Sequence, residues 1–74
     1  MPHVIIKHFP VSIDDQQEAQ LVAELTDAIK QAFGVEDGVV SIALEPVDAE
    51  VWHDQVYVPE IVNRRELLRK LPQY

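Results

Sequence analysis

The chain opens "MPHVIIKHFP", and Pro2 is the residue best placed to do chemistry. A proline at the head of a strand costs nothing, because its missing N–H and fixed φ suit that position. If Met1 is trimmed, however, Pro2 becomes a free secondary amine at the start of a rigid element. An ordinary α-amino group titrates near about 8. An apolar pocket or a neighbouring cation disfavours the ammonium form and lowers that value. The result is a base half free near neutrality, suited to general acid–base work. With Met1 in place the same nitrogen is a tertiary amide with no basic lone pair.

The other candidates are weaker. His3 and His8 are five apart on one extended run, which puts them on opposite faces, so they cannot share one metal. His53 stands alone. Ser12 and Ser41 have no Ser/His/Asp arrangement around them. Gly34 and Gly38 read as turn residues, not a phosphate loop. The carboxylates mostly fall on the outer face of one helix, as a solvated surface. No metal and no cofactor is expected.

The elements that must position Pro2 follow from periodicity. Residues 2–9 are β-branched and aromatic and read as a strand. His3, Ile5, Lys7 and Phe9 take one face, and Val4, Ile6 and His8 the other. Residues 12–34 read as a helix. Ser12 with Asp15 is one capping frame and Asp14 with Gln17 the alternative. Leu21, Val22, Leu25, Ile29, Ala32 and Phe33 form its apolar stripe, and Gly34 its stop. A second strand runs from Val39 to Pro46. Strand, helix and strand at this length form a βαβ unit with parallel strands and a right-handed crossover. "DAEVW" reads as a turn or a single helical turn, and a second helix is expected from Pro59, with that proline in its first turn.

Seventy-four residues amount to one domain, 1–74, and a marginal one as a monomer. There is no cysteine to staple it, yet 47% of the residues are hydrophobic. One helix covers one face of a two-stranded sheet and leaves apolar residues on the other, so a second copy packing sheet against sheet is expected. Residues 1–63 carry a formal charge of −10 and residues 64–74 a charge of +3. The acidic body argues against nucleic acid as a partner. No secretory leader and no apolar run near membrane-spanning length is present, so a soluble cytoplasmic protein is expected, with no membrane partner.

The stretches "PHVIIKHFP…SIDDQQ", "AELTDAIKQAFG" and "VVSIALEPV" resemble the 4-oxalocrotonate tautomerase family over roughly residues 2–47. The tail "EVWHDQV…LLRKLPQY" is similar to a short bacterial subgroup, dimeric tautomerases acting on enols of aryl or alkyl pyruvates. The resemblance implies an α+β, βαβ tautomerase-type fold, with sheets packed across a homodimer. It implies keto–enol tautomerisation of a 2-oxo acid, with Pro2 as general base and acid. It places the family's two substrate-binding arginines on or beside Ser12 and on Ser41, and its aromatic wall on Trp52. Neither serine can grip a carboxylate as a guanidinium does. A monocarboxylate or aromatic enol held by Trp52 therefore fits better than a dicarboxylate. Lys7, Arg64, Arg65, Arg69 or backbone N–H groups are left to meet the carboxylate, although Lys7 by itself reads as a plain exposed strand residue. Two other readings stand beside this one: a hydratase or dehalogenase of the same superfamily, and a non-enzymatic oligomeric βαβ module.

Overall fold

A computed structural model describes residues 1–74. Two parallel strands, β1 (His3–His8) and β2 (Ser41–Pro46), form the sheet. His3 lies opposite Ser41, Ile5 opposite Ala43 and Lys7 opposite Glu45. The ladder continues past both ends of the strands. Ser41 N–H donates to the Pro2 carbonyl at 3.2 Å, and Val47 N–H to the His8 carbonyl at 2.8 Å. The β-branched run that predicts β1 therefore becomes a strand, anchored at the end that carries Pro2.

Between the strands runs α1 (Asp15–Phe33). Its start follows the alternative capping frame. Gln17 N–H donates to the Asp14 carboxylate at 2.7 Å, and the Gln17 side chain accepts from Asp14 N–H at 3.1 Å. Asp14 succeeds where Ser12 does not because a carboxylate is the stronger acceptor and its charge complements the helix N-terminus. Gly34 ends the helix at φ 65° and returns its N–H to the Lys30 carbonyl. That left-handed turn is one a side-chain-bearing residue adopts only with strain. Of the predicted stripe, Leu21, Leu25 and Ile29 are half-buried, while Val22, Ala32 and Phe33 are exposed. A 3₁₀ turn at Asp37–Val39 leads into β2, which begins two residues later than predicted.

The C-terminal part differs from expectation. Helix α2 begins at Ala49, in the stretch read as a turn or single helical turn, and the helical run does not wait for Pro59. It is a single α-turn to Trp52 that continues as a wider, π-type helix over His53–Val62. Pro59 lies inside it. Proline has no N–H to give and its ring crowds the preceding turn, and widened turns make room for it. Asn63 N–H reaches back to the Val58 carbonyl at 3.0 Å. Beyond a short 3₁₀ turn at Arg65–Leu67 the chain is irregular. Lys7 ties this helix to the sheet. Its ammonium pairs with Glu60 and lies 3.7 Å from Glu45. Those contacts, the Glu60 hydrogen bond above all, raise the Lys7 pKa from 10.5. Lys7 is thus no free strand residue.

Little of the chain is covered. Only Val47 and Val56 are buried, and no side chain is wholly enclosed. The accessible surface is 5967 Å², whereas a compact monomer of 8.4 kDa exposes about 4,600 Å². The radius of gyration is 14.0 Å, against about 11 Å for a compact chain of this length. No helix is long and apolar enough to cross a membrane.

Candidate active site

Pro2 stands at the entrance to β1, half-buried, with its carbonyl fixed by Ser41. It borders an open cavity of about 480 Å³ whose walls include Val4, Ile29, Phe33 and Val35. β1 supplies Val4, the last turns of α1 supply Ile29 and Phe33, and the Gly34 turn delivers Val35. The cavity that Pro2 borders is thus largely apolar. Met1 borders the same cavity and is 95% exposed, so nothing packs around it that its loss would disturb.

The other predicted site residues fall in different places. Ser41 is brought to Pro2 by the strand register. Its hydroxyl also lies 2.6 Å from His3 Nδ1. Ser12 is exposed in the connection ahead of the Asp14 cap and makes no side-chain hydrogen bond within the chain. Trp52 lies at the opposite end of β1. It packs edge-on against Phe9, with ring centroids 5.0 Å apart and planes at 85°. Seven residues of extended chain separate Phe9 from Pro2, about 23 Å at the rise of a strand. Within one chain, Trp52 does not wall Pro2.

Two features escape sequence reading. Phe33 has the place of a core residue on the α1 stripe, yet it is 69% exposed at the Pro2 cavity. The available signal was its position directly before Gly34, where the helix ends and cover runs out. Phe9 and Tyr74 join Trp52 in a second hollow of about 350 Å³, walled by these three aromatic residues. Tyr74 in turn lies near Tyr57, centroids 5.8 Å apart, and Tyr57 stacks on His53 at 5.5 Å. A chain-terminal residue has no periodicity to betray such a contact.

None of the cations offered for a substrate carboxylate borders the Pro2 cavity. Lys7 is engaged by Glu60 and Glu45. The arginines lie in the C-terminal stretch, where Arg69 donates to the Glu66 carbonyl at 3.2 Å. The site thus pairs a strand-end proline with apolar walls and a His–Ser contact.

A family model described as "Tautomerase enzyme" matches residues 2–59. The chain is 40% identical over all its 74 residues to Tautomerase PptA of Escherichia coli O139:H28 (strain E24377A / ETEC), covering 97% of that protein. The same identity holds against Tautomerase PptA of Escherichia coli (strain K12 / DH10B), of which 95% is covered.

Proposed function

Since this chain belongs to the tautomerase family, we propose that it interconverts the enol and keto forms of 2-oxo acids, aryl- or alkyl-pyruvate enols among them, with the free Pro2 amine as base and acid. The carrying observation is Pro2 itself, held at a strand entrance beside an apolar cavity, behind a Met1 exposed for removal. In the forward direction the amine takes the proton of the C2 hydroxyl. The O–H bond pair becomes the second C2–O bond, the enol double bond shifts its pair to C3, and the ammonium returns the proton there. No proton is gained or lost overall. Val4, Ile29, Phe33 and Val35 disfavour the ammonium and keep the amine available.

The catalytic unit is a homodimer in this reading. The surface exceeds that of a compact monomer by about 1,300 Å², or about 2,700 Å² over two copies, which lies within the range of obligate homodimer interfaces. A two-fold partner running antiparallel brings the Trp52 end of one β1 towards the Pro2 end of the other. Trp52 then walls the neighbouring site, and Ser12 is left to supply a neutral donor to the substrate.

Pro2→Ala, made in protein freed of Met1, tests the role of the amine. A primary amine remains, so kcat/KM for phenylpyruvate enol falls by about ten- to hundredfold without vanishing, while circular dichroism is unchanged. Undiminished kcat/KM in this variant would refute the assignment.

A further inference from the structure

We propose that His3, held in place by Ser41, receives the substrate carboxylate beside Pro2; this deepens, and rests on, the tautomerase reading above. The proposal names the group that stands in for a guanidinium at a site where no arginine or lysine borders the cavity.

The geometry comes from the strand register. His3 and Ser41 are opposite one another in the parallel ladder. The main-chain N–H of Ser41 donates to the Pro2 carbonyl at 3.2 Å, and its hydroxyl lies 2.6 Å from His3 Nδ1. One residue of β2 therefore fixes both the Pro2 peptide and the adjoining imidazole. When Ser41 O–H donates to Nδ1, the ring proton resides on Nε2. Nε2 makes no bond within the chain, and His3 is exposed, so that N–H is offered outwards. His8, by contrast, turns its Nδ1 to the Phe9 carbonyl, at the far end of the strand.

In a 2-oxo acid the carboxylate carbon and C3 are two bonds apart. Neighbouring residues have Cα atoms about 3.8 Å apart. The Pro2 nitrogen is a main-chain atom at the strand entrance, so it is not confined to the face its ring takes. A single imidazole N–H makes one bond where a guanidinium makes two, which selects a monocarboxylate over a dicarboxylate. Ser41 is a positioning residue here, and His3 the one that touches substrate.

The test compares an acid with its ester. His3→Asn keeps a group that can reach Ser41 but removes the outward N–H; His3→Gln restores an N–H near the Nε2 position. For phenylpyruvate enol, His3→Asn lowers kcat/KM by about ten- to hundredfold, chiefly through KM, the range of a hydrogen bond to a charged group. The enol of methyl phenylpyruvate is little affected, His3→Gln recovers part of the loss, and Ser41→Ala gives a milder version of the same split. A binding arm needs no catalysis: 3-phenylpropanoate, which cannot enolise, shifts the His3 ring resonances and binds more weakly to His3→Asn, whereas its methyl ester does neither. That arm holds even if Pro2 proves not to be the base. Equal losses on acid and ester, or 3-phenylpropanoate binding unchanged in both His3→Asn and Ser41→Ala, would overturn the proposal.

Discussion

In the proposed mechanism Pro2 depends on its neighbours for basicity, and these come from different elements. Val4 belongs to the strand, Phe33 to the helix end, and Val35 to the turn that Gly34 permits. Activity should rise with pH along a single ionisation as the ammonium loses its proton, at a pKa below that of an ordinary secondary amine. Replacing Phe33 with a polar residue admits water, and the midpoint of the pH–rate profile should then move upwards. A midpoint unmoved in Phe33→Ser would show that Phe33 does not desolvate the amine. Trp52 makes a separate prediction. It faces Phe9 and an open aromatic hollow at the other end of the strand. Trp52→Ala should raise KM for aryl enols by about tenfold, in line with the loss of one large apolar contact, and affect alkyl enols less. Steady-state kinetics with the two substrate types decide it, and equal KM values in wild type and variant would reduce Trp52 to packing against Phe9.

The elements show which parts of the fold are local in origin. β1, α1 and β2 were legible because their signals lie within a few residues: the β-branched run at Val4–Ile6, the Asp14–Gln17 cap and the Gly34 stop. The cap carries a prediction: Asp14→Ala should cost about 1 kcal/mol, read as a Tm lower by about 4–8 °C. The start of the C-terminal helical run was misread because Pro59 suits a first helical turn, whereas here the wider helix absorbs it. One tie between that helix and the sheet is a contact 53 residues distant in sequence, Lys7 with Glu60, which no periodicity displays. At the site the division is the same. The place of Pro2 at the strand entrance was legible, but the pairing of His3 with Ser41 depends on strand register, and the exposure of Phe33 on where cover ends. The Lys7 contact also has a pH signature. A lysine whose folded pKa is raised contributes stability below its unfolded value, and that contribution is lost as pH rises through the folded value. Since the shift starts from 10.5, the helix should stay docked at neutrality and loosen only in alkali. Hydrogen exchange across 53–62 should quicken in Lys7→Met at neutral pH, and exchange identical to wild type would show that the helix docks without this contact.

At the scale of the whole molecule, the surface exceeds that of a compact monomer, which favours the proposed second copy. Ile5, Phe9, Val11, Phe33 and Tyr74 are all more than half exposed, and two buried valines do not make a core. Light scattering at micromolar concentration should return twice 8.4 kDa; a stable, folded monomer would contradict the composite site, and a hexamer the dimer. The central claim rests on a single atom, the Pro2 nitrogen, and mass spectrometry of the intact protein reports its state directly. Two preparations of verified mass, one retaining Met1 and one without it, can be assayed side by side on phenylpyruvate enol. Neither preparation loses a core side chain, since Met1 is exposed, so circular dichroism and assembly mass should agree. The trimmed protein should be active and the Met1-bearing protein inactive, because an amide nitrogen cannot accept the proton. Full tautomerase activity in protein verified to carry Met1 would contradict the account.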